Sequence, residues 1–400
     1  MNFRIHGGRL FAFAVLFVAA LGARAASDGW MTSWAGPAQD PGATASTFPA
    51  DTTVRNIVFN AFAGNAMRVK FSNAFGTQPL VIGAASIGYA VDGASNRANM
   101  PTAITFGGKP SVSVPQGGVV LSDDIPLKVP PEMDLAISIY LPSGSGESVM
   151  YPGAQHTTFI GSGDQTLASA MNVSSTSANG FFLSSLEVRP FNPAGVIAAL
   201  GDSIVAGGGS TGEETKWTDR LTIRLQSTPT MNAMSVLGLG IGGNRLLSGA
   251  TTNPSALARF DTDVLGMAGL THVILADGIN DLGASAANPS APPFPQDVEY
   301  GLRQLVERAH ARGVKVIGTT MGPAWGFRGY EAIDSKRLAY NAWMRTVGVT
   351  IVDGLIDFDA VLNDPSNPSH MLPQYLTDGI HPNNAGHQAM ADAVDLSLFR

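Results

Sequence analysis

Val196-Ile197-Ala198-Ala199-Leu200 runs directly into Gly201-Asp202-Ser203-Ile204. Five apolar residues stopped by a glycine have the length and punctuation of a buried strand, and a polar turn comes at once. Four more short apolar runs come after it: Met234 to Leu239, His272 to Ala276, Val314 to Thr319 and Val349 to Val352. Helical patterns lie between them. Gln296 to Arg312 places Val298, Leu302, Leu305, Val306 and Ala309 on one face and ends at Gly313. Ile333, Tyr340, Trp343 and Val347 mark a second helix, and Trp217, Leu221 and Leu225 a third. Strands alternating with helices predict a parallel sheet of five strands, built through right-handed crossovers, over residues 194–400.

Before residue 194 the period changes. Met67, Val69 and Phe71 alternate with Arg68, Lys70 and Ser72, and Leu135, Ile137, Ile139 and Leu141 alternate with Ala136, Ser138 and Tyr140. A period of two puts one face of each strand on a core. Residues 26–193 therefore read as an all-β sandwich or jelly-roll-like domain. Tyr151 to Gly180, rich in Ser, Thr and Gly, reads as long loops, Phe181 to Arg189 as a last strand, and Pro190 to Pro193 as the boundary.

Residues 1–25 read as a signal peptide. Arg4 and Arg9 precede an apolar stretch from Leu10 to Leu21, and Ala23-Arg24-Ala25 offers a cleavage site. Removing it leaves 21 basic and 31 acidic side chains, a net charge of −10. So acidic a chain, with few Lys/Arg clusters, argues against a nucleic-acid partner. With no later apolar run long enough for a membrane span, the expected product is secreted or periplasmic. The absence of cysteine excludes a disulfide scaffold, a thiol nucleophile and thiolate metal ligation.

Ligands of an open parallel sheet bind beyond the carboxyl ends of its strands, so the residues just after each strand point to function. Gly201-Asp202-Ser203-Ile204 comes after the first run and Gly240-Ile241-Gly242-Gly243-Asn244-Arg245 after the second. Asp277-Gly278-Ile279-Asn280-Asp281 comes after the third, and Asp378-Gly379-Ile380-His381-Pro382 comes some way on from the fifth. A hydroxyl, a glycine-rich backbone, a carboxamide and a His with a nearby acid thus gather on one rim. That set is what acyl transfer to a serine needs.

These four blocks resemble the SGNH (GDSL-type) hydrolase superfamily over about residues 195 to 396. The N-terminal part is similar to the β-domain of secreted arylesterase/acylhydrolase-like members, through Trp30-Met31-Thr32-Ser33-Trp34 and Val69-Lys70-Phe71-Ser72-Asn73-Ala74-Phe75-Gly76. The resemblance implies a flavodoxin-like three-layer α/β/α domain with Ser203 as nucleophile, His381 as base and Asp378 orienting the His. It implies an oxyanion hole from the Ser203 and Gly243 N–H groups and the Asn280 side chain, and no cofactor. The implied substrates are carboxylic esters, with short acyl groups on carbohydrate or aryl alcohols. Ile204 replaces the Leu of the family motif, Gly238 stands where many members have Asn, and Asp277 precedes the glycine of the third block.

Competing readings exist. Gly208-Gly209-Ser210-Thr211-Gly212 matches a nucleophile elbow, but Ser210 lies in a glycine loop rather than directly after a strand. Gly238, Gly240 and Gly243 match a dinucleotide fingerprint, yet no acid ends the next strand at the required distance. No metal site is expected, because His381 and His387 are six apart across Pro382 and Gly386. Trp325, after the fourth strand, is expected as a wall of the substrate site. An extracellular lipase or thioesterase, an acyltransferase on the same site, and a carbohydrate-binding or adhesion protein are the alternatives to an esterase.

Overall fold

A computed structural model describes residues 29–40, 46–91, 95–148, 150–151, 155–193, 195–231, 233–249 and 253–400. The signal-peptide reading of residues 1–25 lies outside the described residues. Two antiparallel sheets face each other in the N-terminal half. One has four strands, Met31–Ala35, Leu183–Pro190, Gly64–Ser72 and Val119–Leu121 in spatial order. The other has six, with Thr52–Asn60 and Met133–Leu141 paired at its centre. Met67, Val69 and Phe71 from one sheet and Leu135, Ile137, Ile139 and Leu141 from the other are all buried in one apolar cluster, as their period of two predicts.

The reading of Tyr151 to Gly180 as loops needs correction. Thr158–Ser162 is a strand that extends the six-stranded sheet beside Thr52–Asn60, and Ser175–Ser177 continues it. Phe159 and Met171 pack with Ile57, Ala90, Ala98 and Ala136 in a second, smaller cluster. Serine and threonine are acceptable in a strand near a sheet edge, where the second face need not be apolar.

The last sandwich strand ends at Pro190, and the first parallel strand, Gly195–Gly201, begins five residues later. Five parallel strands lie in the spatial order 2-1-3-4-5, the flavodoxin-like arrangement. Val196, Ala198 and Leu200 of the first strand are buried in the cluster shared with Val298, Leu302 and Leu305 of helix Pro295–His310. Ile197 and Ala199 are buried instead with Trp217, Leu221 and Leu225 of helix Trp217–Gln226 and Met390 of helix Asn384–Ala393. Alternate side chains serving two helical layers explain why the run is continuously apolar. The fifth strand is Gly354–Ile356; Gly348–Thr350, which overlaps the run Val349 to Val352 expected to form it, is a 3-10 turn. Three strand residues are too few for a periodic signal, and the preceding apolar run packs as a helix end.

Candidate active site

Strand order reverses between the first and third parallel strands, the place where such sheets bind ligands. At Gly201 a Cβ would lie 2.3 Å from the Ala276 carbonyl oxygen, so only glycine lets the two strand ends approach so closely. Asp202 caps the one-turn helix Ser203–Ala206, accepting from the Ile204 N–H at 2.9 Å. Ser203 opens that turn, with Oγ 2.7 Å from His381 Nε2. His381 and Asp378 share a tight loop. Asp378 Oδ1 accepts from the His381 backbone N–H at 3.0 Å and Oδ2 lies 2.7 Å from Nδ1. Partial burial works to raise the Asp378 carboxyl, but the bonds from His381 outweigh it and hold it below the usual carboxylate range. A hydrogen on Nδ1 directed at Asp378 leaves Nε2 as the acceptor facing the serine.

Gly243 has φ +69°, and a Cβ there would meet nothing within 4 Å. Its need for glycine is conformational rather than steric. The next residue, Asn244, accepts from Arg259 Nε at 2.9 Å and Nη2 at 2.7 Å. The same buried guanidinium donates to the carbonyls of Gly201 at 3.0 Å and Leu239 at 2.8 Å. One cation thus ties the ends of the first two strands to the glycine loop. Asn280, in the short helix Ile279–Gly283, donates from Nδ2 to the Asn244 carbonyl at 3.0 Å and to Asp202 Oδ2 at 3.3 Å. Its Oδ1 accepts from the Tyr330 hydroxyl at 3.0 Å. Asp281 accepts from the Leu246 and Leu247 N–H groups at 2.7 and 2.9 Å. Burial pushes both Asp202 and Asp281 up to about 6, and together with their charge it raises Asp277 well above its ordinary value.

Ser203, His381 and Asp378 therefore form one hydrogen-bonded line, and Asn280 bonds to the side chain of Asp202, the residue before Ser203. Ser210 lies elsewhere: its Oγ donates to the Gly207 carbonyl at 2.6 Å and accepts from Gln155 Nε2. Trp325 is 42% exposed and its ring lies 5.0 Å from that of His370. The ring beside His381 is that of Phe327, edge-on at 5.4 Å. A pocket lined by Ile204, Ile279, Met321, Phe358, Ile380 and Met390 adjoins these motifs. Sequence reasoning missed Arg259, Asn244, Tyr330, Phe327 and His387. Asn244 stands in view at the end of the glycine loop; the others carry no local signal.

His387 is fully buried. Its Nε2 donates to the Gly208 carbonyl at 3.1 Å and its Nδ1 accepts from the Trp217 N–H at 3.3 Å. Asp134, His156 and Glu214 are the one group among the described residues whose possible metal-ligating atoms lie within 4.8 Å of one another. His156 Nε2 is 2.7 Å from Glu214 Oε1 and 3.3 Å from Asp134 Oδ1. Burial opposes the charged imidazole, but the two carboxylates overcome it and push it up to about 10.

Residues 199–389 match the model of the GDSL-like Lipase/Acylhydrolase family. Among solved structures the chain is similar to a GDSL-like lipase from Bacteroides thetaiotaomicron, at 20% identity over 51% of this chain and 87% of that one, with a TM-score of 0.36. It is similar to an α/β hydrolase enzyme from the metagenome of Lake Arreo, Spain, at 24% identity over 52% and 96% of the two chains, with a TM-score of 0.41. A catalytic mutant of an acetylxylan esterase from Geobacillus stearothermophilus aligns at 20% identity over 51% and 93%, with a TM-score of 0.40. No curated protein matches the chain. Over residues 199–389 the chain carries a domain of the GDSL-like lipase/acylhydrolase family, and it is a hydrolytic enzyme.

Proposed function

We propose that the chain is an exported serine esterase that cleaves carboxylic esters through an acyl-enzyme on Ser203. The observation that carries this reading is the line of two 2.7 Å contacts from Asp378 through His381 to Ser203. As Ser203 Oγ attacks the ester carbonyl carbon, its proton passes to His381 Nε2, and Asp378 steadies the imidazolium through Nδ1–H. The carbonyl oxygen becomes an oxyanion. Its donors are the Ser203 N–H, which as the first of its helix has no intrahelical acceptor, the Gly243 N–H and Asn280 Nδ2. Of the two bonds from Asn280, the 3.3 Å one to Asp202 is the weaker and the one to exchange for the oxyanion. Collapse of the intermediate breaks the ester C–O bond, and the alcohol leaves with the proton held by His381. Water, deprotonated by the same Nε2, then attacks the acyl carbon and releases the acid and Ser203.

Export rests on Arg4, Arg9, the apolar stretch to Leu21 and Ala23-Arg24-Ala25. Short acyl groups on carbohydrate or aryl alcohols are the substrates that the motif resemblance favours. The test is hydrolysis of p-nitrophenyl esters of graded chain length, beside acetylated xylan, by wild type, Ser203→Ala and Ser210→Ala. Ser203→Ala should abolish turnover and labelling by a serine-directed phosphonate, whereas Ser210→Ala should still turn over and still be labelled. An active Ser203→Ala protein would overturn the assignment. A preference for long-chain esters would replace the short-acyl reading by that of a lipase.

A further inference from the structure

Gln155 and His156 precede the sandwich strand Thr158–Ser162, yet their side chains bond to the other domain. Gln155 Nε2 donates to Ser210 Oγ, and to Thr215 Oγ1 at 3.3 Å. His156 is held between Asp134, on the sandwich strand Met133–Leu141, and Glu214 of the α/β domain. Ser210, Glu214 and Thr215 all belong to the loop of residues 207–215, which comes directly after the nucleophile helix. The other side of this loop is the wall of the catalytic imidazole. A Cβ on Gly208 would lie 2.7 Å from His381 Cδ2, and one on Gly209 3.0 Å from His381 Cβ. The last helix holds the same loop, through His387 to the Gly208 carbonyl and through Asn384. The Asn384 side chain accepts from the Thr211 N–H at 2.8 Å and donates to its carbonyl at 2.9 Å.

We propose that Gln155 and His156 make the N-terminal domain a positioning element for catalysis: they fix the 207–215 loop so that its glycines hold His381 against Ser203. The proposal rests on the serine-esterase reading. A simple docking contact could be made anywhere along the domain boundary. These bonds instead converge on a loop whose opposite face is the histidine, and glycines leave that loop without side chains of its own to set its distance from the ring. A loop free to retreat by a fraction of an ångström would let the imidazole turn away from Oγ, lowering turnover more than substrate affinity.

The experiment uses the full chain with p-nitrophenyl acetate and compares Gln155→Ala, His156→Ala and the double variant with Thr32→Val. Thr32 also bridges the two domains, accepting at Oγ1 from the Ala268 N–H at 3.0 Å, but it does not touch the loop. Loss of the brace should lower kcat roughly ten-fold or more with KM within about two-fold, and should slow phosphonylation of Ser203 in parallel. Thr32→Val should lower Tm while keeping kcat. Wild-type kcat in Gln155→Ala, or an equal loss of kcat in Thr32→Val, would overturn the proposal. If the double variant does not fold, Gln155→Ala alone decides, since it leaves the ion pairs intact. An active Ser203→Ala protein would instead remove the reading beneath it, so the two failures are distinguishable.

Discussion

Asn280 donates twice in the resting site, and the Tyr330 hydroxyl fixes which end of its amide faces Asp202 and Asn244. If its role is only to cap a loop, Asn280→Ala should lower stability modestly and leave turnover per folded molecule unchanged. If Nδ2 serves the oxyanion, kcat should fall by about two to three decades, roughly 3 kcal/mol, with little change in KM. Steady-state kinetics on the purified variant, with Tm measured alongside, separates the outcomes. Residue types at this scale are legible in the sequence: Ser203, Gly243 and Asn280 stand out by their places after strands, and Asp378 and His381 by their spacing of three. The surroundings of each are not. Arg259 reaches Gly201, Leu239 and Asn244 from a helix well along the chain, and no spacing rule announces such a contact.

At the scale of elements, the last helix does more than close the sheet. His387 uses both ring nitrogens, donating to Gly208 and accepting from Trp217, which requires the neutral ring. Protonation would set a second N–H against that of Trp217, and burial with nearby positive charge lowers His387 to about 4. An unfolded histidine titrates near about 6.5, so below that pH the unfolded chain takes up a proton that the folded chain refuses. Stability from this group is therefore fully present above about 6.5 and lost as pH falls toward 4, by roughly 3 kcal/mol in all. Denaturant unfolding from pH 4 to 7 should show that slope in wild type and a shallower one in His387→Gln. Element boundaries are legible where the apolar pattern is long, as in helix Pro295–His310. They are hidden at Gly354–Ile356 and Thr158–Ser162, where three to five residues are placed by pairing with a neighbour strand.

Taken whole, the two halves are not beads on a string. Thr32 of the first sandwich strand donates from its N–H to the Ala268 carbonyl at 2.9 Å, and its own carbonyl accepts from Ser235 Oγ at 3.0 Å. Buried apolar residues of the sandwich, among them Met31 and Met67, belong to the same cluster as Val196 and Val273 of the parallel sheet. A shared core predicts cooperative loss of both halves. Calorimetry of the full chain should give one transition, with the calorimetric and van't Hoff enthalpies in agreement. Two resolved transitions would mean that the halves unfold independently.

The sequence alone determined the class of each half and the order of the chemical blocks, because periodicity and strand-end turns are local properties. A period of two, continuous apolar runs and glycines beside reactive side chains record which face is buried and where the backbone must turn. Only the tertiary structure decided which distant groups meet. Ser203 and His381 are 178 residues apart and Gln155 and Ser210 are 55 apart, and hydrogen bonds between them depend on how the sheets and loops pack. Trp325 and Phe327 show the same limit over two positions: both are aromatic residues after the fourth strand, but only the packed loop turns Phe327 toward the histidine. Residue type fixes what a side chain can do. Its partner is chosen by packing, which fills the space left by all the others.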